Sequence, residues 1–139
     1  MPTSAEALEY LKALNKRTAR LGEAVDELFG HEGCSSYVKT IYIGYDIGGE
    51  MVAAMYGRGD HLEIALALAE DHPSSVLIDA SHLTWKTLPV AAIFHDLSEV
   101  EAVRVLVAEA CERVRTGQHN VNRDNEFFMK AKRERRGRL

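Results

Sequence analysis

No apolar run in this chain approaches the roughly 18 residues needed to span a bilayer, which excludes a helical membrane anchor. Met1-Pro2-Thr3-Ser4 lacks the basic and apolar regions of a secretory leader, and the chain is expected to be cytoplasmic. Cysteine is scarce: Cys34 and Cys111 are too few for a disulfide framework or a structural zinc site, so reduced thiols are expected. Cys111 lies beside Ala110 in an apolar pattern and reads as a small buried hydrophobe, whereas Cys34, after Gly33 in a loop, reads as an ordinary loop cysteine or an exposed, oxidisable thiol.

Catalytic signatures are missing as well. There is no Gly-x-Ser-x-Gly elbow, and neither cysteine stands in a nucleophile context. The histidines, at 31, 61, 72, 82, 95 and 119, never fall two to four residues apart, the spacing that metal-binding helices and hairpins use, so no metal and no cofactor is expected. The glycines at 44, 48, 49, 57 and 59 fit turns rather than a phosphate loop, because none opens a helix. Of the close carboxylate pairs, Glu70-Asp71 falls in a polar loop, and Asp96 with Glu99 stands at a helix start where negative charge is stabilised. No repeat and no low-complexity tract is present.

What remains is a chain of 139 residues, 46% hydrophobic and 27% charged, the length and balance of one globular domain. The net charge of −4 hides an asymmetry. Residues 118–139 hold seven basic and three acidic side chains, while residues 1–117 carry a net −8. An acidic body does not attract nucleic acid, but a basic extension can. The chain is accordingly read as one domain over 1–117 and a basic C-terminal extension over 118–139.

Thr3 and Glu6 have capping-box spacing, and Leu8, Leu11, Leu14, Leu21, Val25 and Leu28 recur as one stripe, which predicts a single helix over 4–29 ended by Gly30. Tyr37 to Tyr45 reads as a strand with Tyr37, Ile41, Ile43 and Tyr45 on one face. Asp46-Ile47-Gly48-Gly49 is a hairpin turn, Glu50 to Tyr56 a second strand, and Gly57-Arg58-Gly59-Asp60 another turn. Strict alternation of Leu62, Ile64, Leu66 and Leu68 favours a strand over 61–68, although its alanines and leucines also suit a helix. Val76 to Ile78 and Val90 to Phe94 complete the set. Ser98 and Glu101 then form a capping box before Val100, Val103, Leu106, Val107, Ala110 and Val114, a helical face ending at Gly117. The fold class is α+β: a meander-like antiparallel sheet of about five short strands, flanked by N- and C-terminal helices on one face.

The run Tyr37-Val38-Lys39-Thr40-Ile41-Tyr42-Ile43-Gly44-Tyr45, then Asp60-His61-Leu62-Glu63-Ile64-Ala65-Leu66, Leu77-Ile78-Asp79-Ala80, Trp85 and Phe94-His95-Asp96-Leu97-Ser98-Glu99-Val100, resembles an uncharacterised bacterial domain of unknown function. That domain occurs in predicted transport proteins and beside restriction-type or DNA-associated modules. The resemblance spans roughly residues 5–115 and implies the fold rather than a reaction. Where the family carries further basic residues in its second strand and turn, this chain keeps Arg58 alone.

The helix-free sheet face is the candidate binding surface, with Lys39, Tyr42, Arg58, Trp85 and Lys86 as its residues. Aromatic and basic groups on a sheet suit bases, peptides or a second subunit, and a homodimer is one expected partner. Trp85 can equally cap the edge of the core. The leading expectation is a non-catalytic binding or scaffold domain. The alternatives are a nucleic-acid-associated protein that uses the basic extension, and an enzyme with a nonlocal site built from Asp79, His82 and Trp85. In the extension, Phe127, Phe128 and Met129 precede Lys130, Lys132, Arg133, Arg135 and Arg136, and these three apolar residues are expected to pack against the body or a symmetry-related subunit, with the cations along its acidic surface.

Overall fold

The computed structural model describes residues 5–83 and 85–118. Two N-terminal helices, α1 (Ala5–Lys12) and α2 (Lys16–His31), precede strands β1 (Ser35–Val38), β2 (Ile43–Ile47), β3 (Glu50–Gly57), β4 (Leu62–Leu66), β5 (Leu77–Asp79) and β6 (Val90–Phe94). Helix α3 (Val100–Arg115) closes the domain. The strands form one antiparallel sheet in the order β1-β2-β3-β4-β6-β5, a meander except for the exchange of the last two. The α+β class therefore holds, with six strands rather than five. Among the described residues, no helix is long and apolar enough to cross a membrane. The extension residues Phe127, Phe128, Lys130, Lys132, Arg133, Arg135 and Arg136 lie outside the described residues, as does Thr3.

Three local expectations need correction. The expected single helix over 4–29 is broken at Asn15, whose backbone is extended and whose side chain accepts a hydrogen bond from Thr18 N at 2.8 Å. Asparagine satisfies an orphan amide of the second helix better than it continues the first. The expected strand over 37–45 is likewise two strands, β1 and β2, which reverse at Lys39–Tyr42, where Lys39 N donates to Tyr42 O. Finally, the last capping box is Asp96 with Glu99, two residues earlier than the Ser98–Glu101 pair. Asp96 follows β6 closely in an extended conformation, so a short 3-10 turn over Leu97–Glu99 starts there and leads into α3.

Other signals hold. Gly48 and Gly49 both have positive φ, 59° and 82°, the geometry of the tight β2–β3 turn. Residues 62–66 are strand, not helix. Residues directly opposite across an antiparallel ladder share a face, so the registers sort the sheet into two sides. Ile43, Met55 and Ile64 face the helices together with Tyr45, Leu62 and Phe94, all buried. Phe29 of α2 stacks on Tyr45, and α3 packs on α2 and on β2, β3 and β4. Leu21, Val25, Val103 and Val107 complete this core.

Candidate functional site

The opposite face of the sheet carries Tyr37, Gly44, Ala54, Ala65 and Ala91 in one row and Tyr56, Glu63 and Ile93 in the next. Four of the first row are glycine or alanine, and these are buried, so other groups lie close against the backbone there. One is Tyr37: a Cβ on Gly44 would meet its ring at 2.3 Å. The rest come from the segment between β5 and β6, which folds back over this face. A 3-10 turn at Ser81–Leu83 brings His82 to Glu63, with Nε2 donating to Oε2 at 2.5 Å. Trp85 Nε1 donates to the Tyr56 hydroxyl at 2.7 Å, and Leu88 is wholly buried.

These contacts assemble an aromatic strip from four separate segments. Tyr42 stands edge-on to Trp85 with centroids 5.4 Å apart and planes at 83°, and edge-on to Tyr37 at 6.4 Å and 78°. Tyr56 lies beneath, 5.5 Å from Tyr42. Tyr37, Tyr42 and Trp85 are half-buried, so the strip is both packed below and open above. Helix α1 fixes its turn from the other side: the Tyr10 hydroxyl donates to Ile41 O at 2.6 Å and accepts from Gly57 N at 2.9 Å.

Cations border the strip. The Lys39 ammonium stands 5.8 Å from the Tyr37 ring centre, and the Arg58 guanidinium 4.6 Å from that of Tyr56. Arg58 also donates through Nε and Nη2 to Glu63 Oε1, at 3.1 and 2.9 Å. Glu63 is only 6% exposed and thus carries its charge between Arg58 and His82. Burial pushes its pKa up, but the hydrogen bonds from His82 and Arg58, with the Arg58 charge, outweigh this and hold the carboxyl below its ordinary value. Burial first, then the charge of Asp46, pushes the Tyr37 phenol up to about 12, and burial with Tyr56 raises Tyr42, so both keep their protons near neutrality.

All five residues singled out in the sequence thus fall on or beside one surface. Tyr42 and Trp85 touch, Lys39 and Arg58 reach the strip through Tyr37 and Tyr56, and exposed Lys86 follows Trp85 in the covering segment. The face is not bare, however, because His82, Trp85 and Leu88 of the segment between β5 and β6 pack against its centre. Tyr37 corrects the expected strand pattern: the reversal at 39–42 turns it away from Ile43 and Tyr45. Tyr37, Tyr56, Glu63 and His82 were not singled out as parts of the surface. Alternation offered a signal for one of them, since Glu63 stands out of phase with Leu62, Ile64 and Leu66.

Behind Trp85 the covering segment and β5 leave an open recess of about 510 Å3, lined among others by Leu77, Ile78, Asp79, Trp85, Lys86 and Pro89. Asp79 accepts from Ser81 N at 2.6 Å, which lowers its pKa. His82 turns to Glu63 instead of joining Asp79 and Trp85 in this recess. Among the described residues, no cluster of three His, Cys, Asp or Glu side chains is arranged to hold a metal.

Gly44 supplies a direct handle on the strip. Gly44→Val is expected to displace the Tyr37 ring from its seat at a cost of about 1–3 kcal/mol for overpacking. Loss of the Tyr37–Tyr42 cross-peaks in nuclear Overhauser spectra, with the fold intact, is the check. Unchanged cross-peaks would show that the ring does not depend on the glycine.

Searches against protein-family models, curated proteins and solved structures return no match for this chain.

Proposed function

We propose that this protein is a non-catalytic binding domain that takes an extended peptide segment of a partner across the Tyr37–Tyr42–Trp85 strip. The observation that carries the reading is the convergence of four rings, from β1, the 39–42 turn, β3 and Trp85 of the β5–β6 connection, on the side away from the helices. Half-exposed tyrosine and tryptophan offer large contact area with few rotatable bonds, so ordering them on binding costs little. Rings set nearly at right angles leave clefts that an extended chain can fill with successive side chains, as aromatic-lined grooves do for proline-rich segments.

Charge argues for peptide over nucleic acid at this surface. Arg58 is neutralised by Glu63, and residues 1–117 carry a net −8, which repels a polyphosphate. Glu63, Arg58 and His82 are engaged in holding the covering segment, which supports binding rather than catalysis.

Trp85 is the single tryptophan, so its fluorescence reports on the strip directly. Titration of the full chain with a decaproline peptide is expected to give a saturable change in emission, abolished in Tyr42→Ala. Decathymidylate serves as the second probe. A response to decathymidylate alone moves the assignment to nucleic acid, and no response to either overturns the strip as a binding surface.

A further inference from the structure

Cys34 and Cys111 are 77 residues apart in the chain, yet their sulfurs are 3.6 Å apart. Cys34 ends the connection from α2 to β1 and is 7% exposed, while Cys111 lies on the inner face of α3 and is wholly buried. Two buried thiols are packed as small hydrophobes in many cores. Here a second contact holds the same two segments together one turn along α3. Arg115 Nη2 donates to Glu32 O at 2.7 Å and to Glu32 Oε1 at 2.6 Å, and Arg115 Nη1 donates to Glu112 at 3.2 Å. The loop bearing Cys34 is therefore clamped to the helix bearing Cys111. A disulfide needs sulfurs about 2.05 Å apart, so closing this gap asks for a side-chain adjustment within a junction already in place.

We infer that Cys34 and Cys111 form a redox dithiol that hydrogen peroxide converts, in the folded chain, to an intramolecular disulfide. Cys34 is the attacking sulfur, because it alone of the pair reaches the surface. Its thiolate attacks one peroxide oxygen, the O–O bond breaks, and the departing hydroxide takes up the thiol proton as water. Cys111 sulfur then attacks the Cys34 sulfenic sulfur. The S–S bond forms, the S–O bond breaks, and hydroxide leaves with the Cys111 proton as a second water. Two electrons pass from the two sulfurs to the peroxide, so two thiols and one peroxide give one disulfide and two waters.

The electrostatics agree with that order. The hydrogen bond from Cys111 holds the Cys34 thiol below its ordinary value against the opposing effect of burial, and the Arg115 charge adds to the lowering. Holding the proton shared with Cys34, and buried, Cys111 is pushed up. One thiol of the pair is thus prepared to ionise and the other to remain protonated until the first has been oxidised. The product would staple the edge of the sheet, three residues before Tyr37, to α3.

The experiment uses the full chain, which has only these two cysteines. Reduced protein is treated with hydrogen peroxide under native conditions, quenched, denatured, and examined by thiol titration and intact mass. The expected result is a fall from two titratable thiols to none, a loss of about 2 Da, and one peptide pair joined through Cys34 and Cys111. Dithiothreitol should restore both thiols. Oxygen addition without the cross-link, covalent dimers, or two thiols that stay titratable would each overturn the inference. The same treatment in urea separates native proximity from chance: intramolecular closure there at the native rate would also overturn it. In Cys111→Ala the reaction should stop with Cys34 oxidised and uncrosslinked, and the wild-type result stands whether or not this variant folds.

Discussion

Phe29→Ala is expected to lower the free energy of unfolding by about 3–5 kcal/mol, the range for emptying a well-packed aromatic site. Phe29 is wholly buried and lies flat against Tyr45, with centroids 4.0 Å apart and planes within 13°. Tyr45 donates its hydroxyl to Asp26 Oδ1 at 2.7 Å, and Asp26, three residues before Phe29 on α2, is itself buried. Truncation therefore opens a cavity, removes the stack, and loosens the ring that satisfies a buried carboxylate. Tyr45→Phe keeps the stack and removes only the donor, so it should cost less, about 1–3 kcal/mol for a buried acceptor left unpaired. Burial first, then the charge and hydrogen bond of Asp26, hold the Tyr45 phenol well above its ordinary value. A folded-state pKa that is raised gives stability fully present below the unfolded value of about 10 and lost as pH climbs through the folded one. Urea midpoints should thus fall more steeply above pH 10 in the wild type than in Tyr45→Phe. A loss below about 1 kcal/mol for Phe29→Ala would refute this account of the core.

The parts of this fold that could be read in advance are those with local chemical punctuation. Gly48-Gly49 supplies a positive-φ turn, and the alternation of Leu62, Ile64 and Leu66 marks a strand whose other face had to differ. The reversal at Lys39-Thr40-Ile41-Tyr42 was hidden because it contains no glycine, proline or asparagine, and its β-branched and aromatic residues favour an unbroken strand. The break before α2 did carry a signal, Asn15 three residues ahead of Thr18, but the leucine stripe runs through it and masked it. Asp96–Glu99 and Ser98–Glu101 both have capping-box spacing, and only the end of β6 decides between them. At the surface, Tyr42, Arg58 and Trp85 were visible as aromatic or basic groups outside the apolar pattern. Their connections were not. Trp85 meets Tyr56 across 29 positions, His82 meets Glu63 across 19, and Cys34 meets Cys111 across 77, distances over which only the finished topology sets proximity.

Glu63→Gln is expected to release the covering segment from the sheet and to cost about 1–3 kcal/mol, the range for losing charge-assisted hydrogen bonds to a buried acceptor. Glu63 is the one member of its triad that cannot hydrate: its side chain is 8% exposed, against 35% for Arg58 and 50% for His82. Glutamine keeps the shape and one acceptor oxygen but removes the charge that draws both donors in. Since the folded-state pKa of Glu63 is depressed, its contribution is complete above the unfolded carboxyl value of about 4.3 and disappears as pH falls through the folded one. Other carboxyls held low, among them Asp96 and Glu101, also titrate in this window, so total stability alone does not isolate the latch. Trp85 does, because it lies three residues beyond His82 and is the chain's single tryptophan. In the wild type its emission should shift to the red as pH drops below about 4.3, before global unfolding. In Glu63→Gln the red-shifted emission should be present at neutral pH and lose that acid transition. Wild-type emission in the variant, with its acid transition unchanged, would mean that Trp85 is held by Tyr56 and the core alone and that Glu63 latches nothing.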